Sequence, residues 1–574
     1  MSMVAYDQCY TNHMNIYFSG IGGIGIGPLA EIALDAGYTV QGSDRSESIM
    51  THALQKRGVA ISLNQSGEFL QACHDDAPID WLVHTSALPP DHPELLLAAR
   101  LGIKTVKRDE LLAHLIDEKN LKLIAVSGTH GKTTTTGMLI WAFKQLGIPV
   151  SYSVGTTLSF GPSGLFDPKS EYFVYECDEF DRNFLHFSPY LSLITSLGYD
   201  HPDTYPTEND YKVAFAEFAK KSAHVIMWQR DNSIDVTAET GWVLNDTEVM
   251  DIDLPGIHNR QNATLIVKAL EYLTLTDNAK AQTILTDFPG TARRFEKLAD
   301  NLYSDYGHHP EEIAATLQLA RELSDHVVLV YQPHQNVRQH EVKDQYTGCF
   351  ELAEAVYWLP TYLSREDPNL AILTPEELSA HVTNREAVQV ADLNEALWDT
   401  VQRALDDKKL VLFMGAGTID SWARSQLAIK RVANVLVVDK NRQFVLQKRD
   451  DKPGITNPGM TTGFGGSVEA DESTREAAYR ELSEETNLTF TADELTYLKT
   501  IFQERVNDGT SRWVTYYLLE NIDTAHLEVY EGQGYEKIPV NARLDNYYLS
   551  PMIRKAIEAY RTNPPLQARL SQNK

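Results

Sequence analysis

Residues 128–136 read Gly128-Thr129-His130-Gly131-Lys132-Thr133-Thr134-Thr135-Thr136. A β-type run at 121–126 stops at this glycine-bearing turn, and a helix opens at the lysine. Backbone N–H groups at such a helix start can wrap a triphosphate, with Lys132 reaching the outer phosphates and the Thr133 hydroxyl holding Mg²⁺. The general phosphate-loop pattern would put its first glycine at position 126, which here is Val126. A second constellation lies near the other end of the chain. Glu481, Glu484 and Glu485 fall at i, i+3 and i+4 of a predicted helix, which projects their carboxylates to one face. Such a cluster repels itself, and a divalent cation relieves the repulsion.

A third motif precedes both. Gly20-Ile21-Gly22-Gly23-Ile24-Gly25 follows a strand and opens a helix, and Asp44 lies at the spacing of a dinucleotide fingerprint. Its glycines let the backbone approach a pyrophosphate of any origin, so the motif alone leaves NAD(P) and another diphosphate ligand equally open.

These residues require a scaffold of alternating strands and helices. Strands at 15–19, 39–41 and 81–83 alternate with helices at 28–36 and 93–101, and strands at 327–331, 355–359 and 410–414 repeat the pattern. Alternation of this kind predicts parallel, doubly wound α/β sheets. From about 430 the character changes to a β-rich opening, a glycine-rich turn and a charged helix. We read four domains: 14–118, 119–289, 290–428 and 430–574. The seam near 425–431 is short enough for the last two to pack together. A length of 574 residues agrees with several cores. The net charge of −28 argues against a nucleic-acid partner. The four cysteines form no C-x-x-C pair, and no apolar run is long enough to span a membrane. With no secretory start, a cytoplasmic protein is expected.

The form Gly128-Thr129-x-Gly131-Lys132-Thr133 resembles the phosphate loop of the Mur ligases. Residues 19–44, HTSALPP at 84–90 and KRDELLAHL at 107–115 resemble the N-terminal domain of the same family, in its alanine-adding branch. The resemblance implies a three-domain ligase: a Rossmann-like N-terminal domain, a phosphate-loop ATPase-like centre and a Rossmann-like third domain. It assigns Gly22, Gly23, Ile24, Gly25, Ser43, Asp44 and Ser86 to a UDP-sugar. Tyr175-Glu176-Cys177-Asp178-Glu179-Phe180-Asp181 resembles the family's acidic motif, which gives Glu176 a Mg²⁺-binding role beside the loop. Asp200-His201-Pro202-Asp203 resembles a segment whose histidine, here His201, binds a second metal. Ser196 stands where the family usually has Asn, and Phe215 lies near the position of a carbamylated lysine in several sister ligases. His258-Asn259-x-x-Asn262 implies contacts of Asn259 and Asn262 with the adenine end of ATP. Arg294, with Asp305 in the following segment, completes the implied ATP site alongside Gly128, Thr129, His130, Gly131, Lys132, Thr133 and Thr134. Gln332-Pro333-His334, Arg338 and Gly415-Ala416-Gly417 resemble substrate-side loops of the third domain.

The implied reaction is ATP-dependent ligation of L-alanine to UDP-N-acetylmuramate through an acyl phosphate. Joining a preformed peptide to the same sugar is the rival, and a NAD-dependent oxidoreductase leaves the phosphate loop unexplained. Gly466-x5-Glu472-x7-Arg480-Glu481-Leu482-Ser483-Glu484-Glu485-Thr486-Asn487-Leu488 resembles the Nudix box, with Asn487 replacing its last glycine. Asn tolerates the left-handed backbone that a glycine there would supply. The likeness implies an α/β/α domain that hydrolyses a nucleoside diphosphate derivative with Mg²⁺. Glu481, Glu484 and Glu485 would hold the metal, Arg480 and Glu472 would orient them, and Glu531 would add a ligand or base. A nucleotide-sensing regulatory module is the alternative. Oligomeric state is not legible.

Overall fold

The computed structural model describes residues 14–562 except 24, 86–87, 202–203, 365, 471 and 505–508. The chain forms two compact units that divide between Phe295 and Glu296. Residues 290–295, read from sequence as the start of the third domain, therefore belong to the first unit.

In the first unit, five parallel strands run in the order Ala60–Ser62, Thr39–Ser43, Asn15–Ser19, Trp81–His84 and Lys104–Lys107. The central strand Asn15–Ser19 is buried throughout, as a parallel strand covered on both faces must be. The order reverses beside it, and the glycine loop leaves its carboxyl end at that switch point. A second sheet has seven strands, in the order Gly241–Leu244, Val225–Trp228, Leu191–Ile194, Lys122–Ser127, Tyr172–Glu176, Ser151–Ser153 and Gly164–Leu165. Only its last pair is antiparallel. Lys122–Ser127 lies at the middle and delivers the phosphate loop to the helix Lys132–Gln145.

In the second unit, a six-stranded sheet is ordered Glu296–Ala299, Leu302–Asp305, Leu410–Met414, Val327–Tyr331, Ala355–Trp358 and Val388–Val390. The helix Ile419–Leu427 leads almost directly into the strand Lys430–Asp439 of a mixed sheet. There Lys430–Asp439 pairs in parallel with Arg512–Ile522, while Thr496–Gln503 forms an edge antiparallel to the latter. The helices Thr474–Glu485 and Pro551–Thr562 pack on apolar clusters that include Val435 and Leu482, and Leu436 and Ile557, respectively. Among the described residues, no helix is long and apolar enough to cross a membrane.

Candidate functional site

The phosphate loop is built from backbone that only glycine adopts easily. Gly128 and Gly131 have φ of +131° and +85°. A Cβ on Gly131 would come within 2.9 Å of the Asn262 amide oxygen, so Asn262 closes directly over the loop. The neighbouring strand ends at Ile194, and this frees two hydroxyls to clasp the turn. Thr195 Oγ1 donates to the carbonyl of His130, and the Ser196 hydroxyl accepts from the His130 N–H at 2.8 Å.

Lys132 Nζ donates to the Gly128 carbonyl at 2.5 Å and to Glu179 Oε1 at 3.0 Å. Burial opposes charge on Lys132, yet Glu179 and Asp178 outweigh it and hold the ammonium above its ordinary value. Burial likewise pushes the Glu179 carboxyl up, with Lys132 drawing it back. Thr133 Oγ1 donates to Glu176 Oε1 at 2.6 Å, and Glu176 Oε2 accepts the Gly155 N–H at 2.7 Å. Glu176 thus sits against the hydroxyl that the sequence singled out as a Mg²⁺ ligand.

His201 approaches a different carboxylate. Donor atoms of Asp178, Glu179 and His201 lie within 4.8 Å of one another, and His201 has left-handed backbone with φ +59°. Sequence reasoning missed Glu179. Its signal was present, because it lies in the acidic motif one turn after Glu176, but only the fold shows that it turns inward. The residues Asp181 and Arg182, both at positive φ, reverse the chain just after it, and Tyr205 OH donates to its carbonyl at 2.5 Å. Two oxygen-rich sets therefore flank Lys132: Thr133 with Glu176, and Asp178 with Glu179 and His201. Both suit a hard divalent cation.

Asn259 Nδ2 donates to the Pro255 carbonyl at 2.9 Å, one helical turn before the buried Asn262. Arg294 lies in the first unit, in a turn bridged to Thr291, and Ala292 bonds to Thr157 at 3.3 Å. Asp305 is in the second unit, where its side chain accepts the Gly307 N–H at 2.7 Å.

The first glycine loop borders a cavity of about 670 Å³ lined by Gly22, Gly25, Asp44, Lys107, Arg108 and Asp178, among others. Asp44 accepts the Gly22 N–H at 2.8 Å, and a Cβ on Gly25 would lie 3.2 Å from the Arg108 guanidinium. Lys107 and Arg108 therefore supply positive charge where glycines admit a ligand. Ser43 does not line this cavity. It is fully buried, and its hydroxyl donates to Glu94 at 2.8 Å, because the strand alternation turns it beneath the loop. Ile24 and Ser86 lie outside the described residues.

In the second unit, the His308 side chain is 13% exposed, and its pKa falls to about 4 because this partial burial disfavours the imidazolium. Its Nε2 lies 2.5 Å from Arg338 Nη1 and its Nδ1 3.2 Å from the Tyr306 carbonyl, an arrangement that suits the neutral ring. His334 stacks on Tyr362, and a Cβ on Gly417 would strike Gln332 Oε1 at 2.5 Å. The loops with Gln332, His334 and Gly417 thus lie together.

The three glutamates do share one end of the helix Thr474–Glu485. Arg480 bonds to Glu472 at 2.7 Å and to Glu481 at 2.9 Å, which is the orienting arrangement expected of that pair. Glu485 is 3% exposed and accepts from Gln447 and from the Gly465 N–H, both at 3.0 Å. Burial, with Glu531 and Glu481 nearby, pushes its pKa up to about 7. This carboxylate set fits a divalent cation, whose charge would offset the repulsion. Asn487 corrects one expectation. It is absent from the left-handed residues, and its side chain instead pairs with the neighbouring segment, accepting from Glu528 N at 2.9 Å and donating to the His526 carbonyl at 2.8 Å.

Comparison with known proteins agrees with this geometry. Family models match at 15–120 (Mur ligase family, catalytic domain), 126–245 (Mur ligase middle domain) and 293–417 (Mur ligase, glutamate ligase domain). A NUDIX domain model matches at 428–536. The UDP-N-acetylmuramate–L-alanine ligase of Dinoroseobacter shibae is 30% identical over 455 residues, covering 71% of this chain and 96% of the relative. The like-named protein of Rhodopseudomonas palustris is 32% identical over 460 residues, with 71% and 96% covered. A crystal structure of UDP-N-acetylmuramate–alanine ligase from Thermotoga maritima, 24% identical, shares the fold with a TM-score of 0.55 over 72% of this chain and 98% of that one. With three ligase domains matched in order and a NUDIX domain following them, this chain belongs to the Mur ligase family.

Proposed function

We propose that the chain joins L-alanine to the lactyl carboxylate of UDP-N-acetylmuramate at the expense of ATP, in the cytoplasm. The observation that carries the reading is the phosphate loop, with Lys132 paired to Glu179 and Thr133 held on Glu176. The names of the relatives supply the substrates, and the glycine-lined cavity, with Lys107 and Arg108 on its wall, suits the diphosphate of a UDP-sugar.

A carboxylate is a poor electrophile at neutral pH, so it must be activated. Its oxygen takes the γ-phosphoryl group of ATP, giving an acyl phosphate and ADP. The free amine of alanine then attacks the carbonyl carbon, phosphate leaves, and the nitrogen loses a proton. In this scheme Gly22, Gly25, Lys107 and Arg108 hold the sugar diphosphate, and Asn259 and Asn262 lie at the nucleotide. Lys132 and Arg294 neutralise charge on the phosphoryl group. Thr133 and Glu176 would hold one Mg²⁺, and His201 with Asp178 and Glu179 a second. When bound, these ions supply charge neutralisation on the phosphates.

The NUDIX domain is proposed to hydrolyse a nucleoside diphosphate linked to another group, with Glu481, Glu484 and Glu485 holding the metal. Phosphate release from ATP with UDP-N-acetylmuramate, measured across amino acids and a tripeptide, tests the ligase reading. Release with L-alanine that needs Mg²⁺ and disappears in Lys132→Ala is expected. Release with the tripeptide alone would transfer the assignment to peptide joining. For the NUDIX domain, hydrolysis of a nucleoside diphosphate derivative should vanish in Glu485→Gln while ligation persists. Unchanged hydrolysis would remove the catalytic role, and altered ligation without hydrolysis would favour a regulatory one.

A further inference from the structure

The ligase helix Glu395–Asp406 has two working faces. Leu397, Trp398, Val401 and Ala404 are buried against the six-stranded sheet. The opposite stripe, Glu395, Asp399, Arg403 and Asp406, follows the helical repeat and meets the NUDIX domain. Edge strands leave a row of backbone groups unpaired, and proteins must cover or blunt them. Here the edge strand Thr496–Gln503 is covered by side chains of this helix. The Phe502 N–H donates to Glu395 at 2.8 Å and the Thr500 N–H to Asp399 at 2.6 Å. Arg403 donates to the Leu498 carbonyl at 3.3 Å, and Tyr497 OH donates to Asp399 at 2.8 Å.

The last residue of the stripe reaches the glutamate-bearing helix itself. Asp406, whose side chain is 3% exposed, pairs with Arg475 and accepts from Tyr517 OH at 2.6 Å. Thr474 Oγ1 lies 2.8 Å from the same tyrosine hydroxyl. Thr474 and Arg475 form the first turn of the helix Thr474–Glu485, where a carboxylate also complements the helix dipole. Beside this polar row, Trp513 of the NUDIX sheet lies in the same apolar cluster as Trp398, with ring centroids 6.1 Å apart.

We propose that helix Glu395–Asp406 is a shared structural element of both domains, so that the NUDIX domain is a fixed extension of the third ligase domain rather than a tethered partner. Asp406 is then a positioning residue for the helix that carries Glu481, Glu484 and Glu485, supplied by the ligase side of the chain. The covalent seam at 428–430 contributes little to this arrangement, because the side-chain contacts alone fix it.

The test uses the full chain. Amide hydrogen exchange at Thr500 and Phe502 should be slow, and Glu395→Ala with Asp399→Ala, which remove the acceptors, should accelerate it at least ~10-fold at those two positions. A flexible glycine–serine insertion between residues 429 and 430 should leave a single joint unfolding transition for the two domains. The same insertion combined with Asp399→Asn and Asp406→Asn should split that transition in two. Should Asp406→Asn prevent folding, Asp399→Asn and Glu395→Gln at the rim of the contact serve with the insertion instead. Rapid exchange of both amides in the unaltered chain, or two transitions on insertion alone, would overturn the proposal.

Discussion

Lys132 and Glu179 form an ion pair at 3.0 Å in which the carboxylate has no exposed surface. The lysine proposed to grip a phosphate is thus held by a buried counter-charge. Glu179→Gln removes that charge while keeping the shape, and breaking a buried pair from one side typically costs about 3 kcal/mol. Thermal unfolding of the variant should show the first unit destabilised by that order. An unchanged unfolding profile would mean that Lys132 does not depend on Glu179.

Glu176 should behave differently. Gln at this position can accept from the Gly155 N–H through its carbonyl oxygen while its NH2 group donates to the Thr133 hydroxyl, so folding should be little affected. Ligation should fall by about 100-fold or more, as for loss of one charge-stabilising group in a phosphoryl or acyl transfer site. Rates measured over a Mg²⁺ titration check this, and a rate close to that of the unaltered chain would exclude Glu176 from the metal site.

Gly22→Ala tests the sugar site. The added Cβ would lie 2.8 Å from both Ser48 Oγ and Thr51 Cγ2, in the capped turn beside the loop. The loop must shift, and KM for the UDP-sugar should rise about 10-fold, equivalent to about 1.4 kcal/mol. KM for ATP should hold. An unaltered KM for the sugar would place the diphosphate elsewhere.

His308 predicts an acid sensitivity of the second unit. Its folded pKa is about 4, below the ordinary value of 6.5, so the folded state prefers the neutral ring. Its contribution is complete above 6.5 and is lost as pH falls through the window to about 4. The full loss amounts to about 3 kcal/mol. Urea unfolding between these pH values should lose part of this dependence in His308→Gln. Parallel curves for the two proteins would show that His308 is not its source.

How far the sequence reached depended on whether function resided in local order or in long-range packing. Gly128, Gly131, Lys132 and Thr133 were legible because one strand–turn–helix unit fixes all of them. Glu481, Glu484 and Glu485 were legible for the same reason. Glu179 was not, because its inward direction depends on the positive-φ pair Asp181–Arg182 and on Tyr205 some 20 residues later. Ser43 failed at the level of strand parity: it ends the strand beside the loop, yet the alternation sends its hydroxyl to Glu94. Asn487 kept its place by hydrogen bonding instead of by unusual backbone. Asp399 and Asp406 were not legible, since no local pattern distinguishes a carboxylate facing water from one facing another domain.

The contact of Trp398 with Trp513 joins residues more than a hundred positions apart. Such pairing is slow to form, because the loop between the partners must be closed before any contact rewards it. A ribosome that has made the whole third ligase domain has therefore not yet made one member of its apolar cluster, Trp513. Until the strand Arg512–Ile522 emerges, Trp398 lacks an aromatic neighbour that lies against it in the folded protein.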